Sequence, residues 1–106
     1  MPNIYNLPSD LQSAEIFEAI ASSPDVLIER IISTGQTTPI GQWYDQDRDE
    51  WVILLQGEAE ITYIDGSRIK LKSGDYLMIP AHQQHRVDYT SSEPPCIWLA
   101  VHGKLT

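Results

Sequence analysis

The sequence predicts an all-β fold: a small antiparallel β-barrel or sandwich with one short N-terminal helix. Three observations lead there. After Val26 the chain breaks into about seven or eight short apolar or alternating segments. Turn residues separate them closely, as at Gln56-Gly57, Asp65-Gly66 and Ser73-Gly74-Asp75. The chain has 106 residues, 42% of them apolar. That is enough for one core, with a radius of gyration of roughly 13 Å and roughly two thirds of the unfolded surface buried. A single domain over residues 1–106 is therefore expected.

The elements follow in order. Residues 13–22 predict the helix: Ser13 can cap it, and Ile16, Phe17 and Ile20 form a short apolar stripe. Glu15 and Glu18 lie toward its N-terminal end, where the helix dipole favours negative charge. Ser22-Ser23-Pro24-Asp25 ends it. The barrel then spans about 26–103. Val26 to Ser33 is rich in β-branched residues, and Gly35 to Gly41 reads as loop. Glu50 to Leu55 is a strand whose last five residues are all apolar. Glu58 to Ile64 alternates, with Ala59, Ile61 and Tyr63 on one face. Asp65-Gly66 is a hairpin signal leading into Arg68 to Lys72, where Ile69 and Leu71 oppose the basic side chains. Tyr76 to Ile79 is short and ends at Pro80. In the next strand His85, Val87 and Tyr89 share a face and Arg86 points the other way. Ile97 to His102 is the last strand.

Composition excludes several classes of function. The net charge is −8, which repels nucleic acid and anionic membrane surfaces. One cysteine cannot form an internal disulfide, and Cys96, with no basic neighbour, reads as a buried inert thiol. No basic-then-apolar leader and no run of roughly 18 apolar residues is visible, so a cytoplasmic protein is expected. No phosphate-binding glycine loop, serine-nucleophile motif or paired zinc cysteines occur. Charge is uneven: residues 1–66 hold 12 acids and 2 bases, residues 67–106 hold 3 acids and 5 bases. The densest acidic run is Asp45, Asp47, Asp49 and Glu50. Strand alternation splits it, placing Glu50 inward with Tyr44 and Gln46, and the three aspartates outward in solvent.

Two segments carry a family resemblance. Glu50-Trp-Val-Ile-Leu-Leu-Gln-Gly57 and Gly74-Asp-Tyr-Leu-Met-Ile-Pro80-Ala-His82-Gln-Gln-His85 resemble the two motifs of the cupin superfamily. They fall in the right order and at the short separation of small single-domain cupins. The resemblance implies a jelly-roll barrel, the double-stranded β-helix, around one cavity. It also implies a divalent metal such as zinc, iron, manganese or nickel, held by two histidines and a glutamate from the first motif and a histidine from the second. This chain departs from that pattern. Tyr44 and Gln46 stand where the first-motif histidines belong, His82 replaces a glycine, and Tyr89 replaces a terminal asparagine. Glu50 and His85 keep the expected types, and His82 and Gln46 are the nearest further donors. Such a metal usually takes about three or more protein donors.

Three functions are open on these residues. A metal held by Glu50, His85, His82 and Gln46 could polarise a small substrate. A metal-free cavity lined by Tyr44, Gln46 and Tyr89 with Glu50 and the histidines could bind a small polar molecule. A metal-independent isomerase or lyase could use Tyr44 or Tyr89 with His85 as its acid–base pair, as cupin-like sugar isomerases do. Whether the protein is an enzyme stays open. The resemblance and the apolar residues on both faces of 51–55 point to a homodimer.

Overall fold

The computed structural model describes residues 1–11 and 13–106 and contains eight β-strands. They are β1 (Ile16–Ser22), β2 (Leu27–Ser33), β3 (Asp49–Gln56), β4 (Glu58–Tyr63), β5 (Arg68–Lys72), β6 (Tyr76–Ile79), β7 (His85–Thr90) and β8 (Cys96–Gly103). Five form one antiparallel sheet in the order β1-β2-β8-β3-β6, and three form a second in the order β5-β4-β7. The sheets face each other across a core of Val52, Leu54, Ile79, Trp98 and Ala100 from the first and Ala59, Ile61 and Leu71 from the second. Leu54 is fully buried; burial of one such side chain stabilises the fold by roughly 1.5–3 kcal/mol.

The expected N-terminal helix is absent: among the described residues there is no helix, and most of residues 13–22 belongs to β1. The three apolar residues at helical spacing are outweighed by a partner strand. Ile16 to Ser22 pairs with Leu27 to Ile32, and Glu18 meets its cross-strand neighbour Arg30 at 2.6 Å. Arg30 also donates to the carbonyls of Ile4 and Asn6, which ties the N-terminal segment to this pair. Local propensity is a weak prior against a satisfied ladder of backbone hydrogen bonds.

Alternation holds along β3. Val52 and Leu54 point into the core; Trp51 and Ile53 lie on the outer face against Met78 and Tyr76 of β6. The β4–β5 hairpin turns through Ile64–Ser67, with Gly66 at φ +91° and Asp65 Oδ1 accepting from Ser67 N and Oγ. Gly57, between β3 and β4, has φ +95°, and a Cβ there would lie 2.9 Å from Cys96 Sγ and 3.0 Å from its Cα. No side chain fits, which is why this position is glycine. No helix of the described residues is long and apolar enough to cross a membrane.

Candidate functional site

The cavity lies between the sheets, beside the core. Its volume is about 70 Å³, room for roughly five water-sized atoms. Phe17, Ile31, Val52, Ile61, Ile79, Val87 and Trp98 form its apolar wall. Its polar groups are Glu15, Glu29, Tyr44, Gln46, Glu50, His85 and His102. Strand register explains how they meet. Glu50 of β3 lies opposite His102 of β8, and Glu29 lies diagonally beside His102 on β2, across from Ala100. Tyr44 forms an antiparallel bridge with His85 of β7, their backbone N–H groups each donating to the other's carbonyl. The Tyr44 and His85 rings stack with centroids 5.4 Å apart.

The hydrogen bonds fix the chemistry of each histidine. His85 Nδ1 lies 2.8 Å from the Gln83 carbonyl, which can only accept, so Nδ1 carries a proton. In the neutral ring the lone pair is then on Nε2, which lies 3.9 Å from Glu50 Oε1. His102 Nε2 meets Glu29 Oε1 at 2.9 Å. Glu15 Oε2 accepts from Ser33 Oγ at 2.5 Å, and Ser33 Oγ accepts from Trp98 Nε1 at 3.2 Å.

Among the described residues, Glu50 makes no hydrogen bond, although it is only 8% exposed. Burial raises its pKa above the ordinary carboxylate value; His102 and His85 pull it back down, and Glu29 adds to the rise. Burial likewise raises Glu15, offset in part by the bond from Ser33. Tyr44 is raised by burial and then by the negative charge of Glu15, Glu50 and Glu29, so its hydroxyl stays protonated.

Tyr44, Gln46, Glu50 and His85 thus come together at the cavity, and two other residues singled out in the sequence do not. His82 sits in the turn after Pro80 with φ +65°, its side chain in solvent and its Nδ1 2.8 Å from Asp45 Oδ1. The family's glycine at that position has a backbone reason, which His82 meets at the cost of a left-handed conformation. Tyr89 is turned outward by a β-bulge: Ile61 pairs with Val87 and Glu60 with Tyr89, leaving Asp88 unopposed. The extra residue reverses the parity, so His85 and Val87 face in while Tyr89 is exposed. The outward aspartates also need correction. Asp45 and Asp47 are exposed, whereas Asp49 is only 6% exposed. It faces away from the cavity, but Ala81, Leu105 and Thr106 close over it and donate four hydrogen bonds. These hold its pKa down at about 2.

Three polar cavity residues carry no functional signal of their own in the sequence: Glu15 lies in the expected helix, Glu29 belongs to no motif, and His102 closes the last strand. Strand alternation through Glu15, Phe17 and through Glu29, Ile31 is the signal that finds the two acids.

The donor set does not fit the metal that the resemblance implies. His85 Nε2 and Glu50 are suitable donors. The other two positions hold a protonated phenol, Tyr44, and a neutral amide, Gln46, and His82 is turned away. Among the described residues, no three or more His, Cys, Asp or Glu side chains are grouped so as to hold a metal ion.

Comparison with known proteins agrees with this fold. The cupin domain model matches residues 31–102, and the chain belongs to the cupin domain family. It is similar to a solved Ralstonia eutropha JMP134 protein described as a "putative mannose-6-phosphate isomerase", with 38% identity, TM-score 0.92, and coverage of 98% of this chain and 97% of that one. It is also similar to a cupin superfamily protein of Desulfitobacterium hafniense DCB-2, at 25% identity, TM-score 0.75, and coverage of 98% and 94%. A Thermus thermophilus protein, 18% identical with TM-score 0.78 over 98% and 96% of the chains, shares the fold. No functionally curated protein matches the chain.

Proposed function

We propose that the cavity binds a small polar organic molecule directly, through Tyr44, Glu50 and His85, without a resident metal. One observation carries this reading: polar groups of buried and half-buried side chains face the cavity without protein partners. Among the described residues, Glu50, the Tyr44 hydroxyl, the Gln46 amide and His85 Nε2 have no hydrogen bond. No fully buried side-chain nitrogen or oxygen among the described residues lacks a partner, so these unpaired atoms are the ones left open to the cavity, where a ligand or water can complete them. A panel of neutral, cationic and anionic molecules of a few heavy atoms tests this. It is titrated into exhaustively chelated protein while the Trp98 indole N–H resonance is followed by NMR. A saturable shift with at least one probe, lost in His85→Ala, is expected. Binding that appears only when zinc is restored would overturn the proposal in favour of a metal site built on Glu50 and His85.

The stacked Tyr44–His85 pair supports a second reading, acid–base chemistry on a carbonyl compound. In its neutral form the His85 ring offers a lone pair at Nε2, and Tyr44, whose ring stacks on it, carries a protonated hydroxyl. Isomerase activity, named for the Ralstonia protein, then requires turnover that survives chelation and collapses in His85→Ala. A rate unaffected in that variant would remove this reading. The outer face of the first sheet supports a homodimer: Trp51, Ile53, Leu99 and Val101 are apolar there and half-buried, and Tyr76 and Met78 are exposed. Sedimentation as a 12.0 kDa monomer at high concentration would contradict it.

A further inference from the structure

Beyond being polar, the ligand has a charge that the cavity selects. Three carboxylates, Glu15, Glu29 and Glu50, line it from three strands or their edges, and no lysine or arginine lines it among the described residues. The nearby guanidinium of Arg86 is on the other side of β7, 5.6 Å over the Trp43 ring and bonded to Asp88 and the Thr38 carbonyl. Two of the three acids already have partners: Glu29 has His102, and Glu15 has Ser33. Glu50 has none within hydrogen-bond distance. Independently of the acids, His85 is only 5% exposed and presents Nε2 to the same space without a hydrogen bond. Aromatic rings of Phe17, Tyr44 and Trp98 stand in the wall with aliphatic side chains between them.

Resting on the reading of the cavity as a small-molecule site, we infer that its ligand is a small organic cation, a primary ammonium on a short apolar stem. The ammonium would donate to the open carboxylate of Glu50 and, with the imidazole in its neutral form, to His85 Nε2. The aromatic faces add attraction for a cation, and Val52, Ile79 and Val87 cover its stem. A phosphate ester meets the opposite surroundings: three acids and no guanidinium or ammonium to receive it. The sugar phosphate in the Ralstonia protein's description is therefore a poor match to this cavity.

Three probes of nearly equal size test the charge: n-propylammonium, n-propanol and propionate, with inorganic phosphate as a fourth. Each is titrated into chelated full-length protein at neutral pH, following the Trp98 indole resonance. Propylammonium should bind at least tenfold more tightly than propanol, and propionate and phosphate should not shift the resonance. Glu50→Gln should weaken propylammonium at least tenfold and propanol less, so that the preference for the cation narrows. Glu15→Gln, in which the amide oxygen can still accept from Ser33, should weaken it less; it serves in place of Glu50→Gln if that variant does not fold. Propanol or propionate binding as tightly as propylammonium overturns the charge assignment and leaves the cavity reading intact. Silence from all four overturns the charge assignment, and silence from the whole panel overturns both. Zinc binding that alone shifts the resonance overturns both in favour of a metal.

Discussion

Asp49 and Glu50 adjoin in sequence, are buried to nearly the same degree, and live in opposite surroundings. Asp49 receives four hydrogen bonds from the turn after β6 and from the last two residues, and its pKa falls to about 2. Glu50 receives none among the described residues, and its pKa rises. Burial alone therefore does not decide what a carboxylate does; the supply of donors decides it. Asp49 fastens the C-terminal residues and the Pro80–Ala81 turn to the start of β3. Glu50 lines the cavity and fastens no other segment.

The contrast can be broken most forcibly at Asp49. Asp49→Ala strands three backbone N–H groups, those of Ala81, Leu105 and Thr106, and should cost more stability than Glu50→Gln, Tyr44→Phe or His82→Gly. Because its folded pKa is depressed, the stabilisation is complete above the ordinary value of 3.8 and fades as pH falls toward about 2. Urea denaturation of wild type and variant at pH 7 and pH 3 should show the gap narrowing at the lower pH. A constant gap would mean that the hydrogen bonds, and not the ionised carboxylate, carry the effect.

Glu50→Gln should act in the opposite direction. A raised folded pKa means that ionising the unfolded chain favours unfolding, beginning as pH rises through 4.5. The variant should therefore be more stable than wild type at pH 7, and the advantage should vanish below about 4.5, where the wild-type carboxyl is protonated in both states. Paired thermal melts at pH 7 and pH 4 measure this. Equal or lower stability at pH 7 would show that Glu50 is structurally satisfied after all.

Tyr44→Phe sharpens the comparison at smaller scale. The ring stack on His85 is kept and only the hydroxyl is lost, so ligand affinity should fall by about 0.5–1.5 kcal/mol with little change in folding. Calorimetric titration with a cavity ligand reads it, and unchanged affinity would place the hydroxyl outside the contact. His82→Gly should have the least effect. It relieves the left-handed backbone at φ +65° and loses an exposed pair with Asp45, so stability should stay within about 1 kcal/mol of wild type. Ligand binding should not change; a loss would join the surface pair to the cavity.

Much of the barrel was legible because period-two alternation is a direct consequence of strand geometry. It placed Tyr44, Gln46, Glu50 and His85 inward, and the structure brings all four to one cavity. The failures share a physical cause: each was decided by a neighbour distant in sequence. Ile16, Phe17 and Ile20 look helical until β2 supplies a ladder, and with the helix went Glu15. Tyr89 obeys alternation until the bulge at Asp88, set by pairing with Glu60 and Ile61, reverses it. Asp49 points outward as alternation requires, but a tail more than fifty residues further along covers it. His102 and Glu29 sit 73 positions apart and become a pair only when β2 and β8 lie side by side.

The wall of the cavity also contains its own optical gauge. Trp98 is 4% exposed, and its indole N–H is bonded to Ser33, whose hydroxyl is in turn bonded to Glu15. Any change in the charge of Glu15, or in what fills the cavity, alters the electric field at this one indole. Trp43 stacks with Arg86, and Trp51 lies on the outer face against Tyr76. With both exchanged for phenylalanine, the colour of the remaining emission would report occupancy without a label, and a titration could be followed by fluorescence before the ligand has a name.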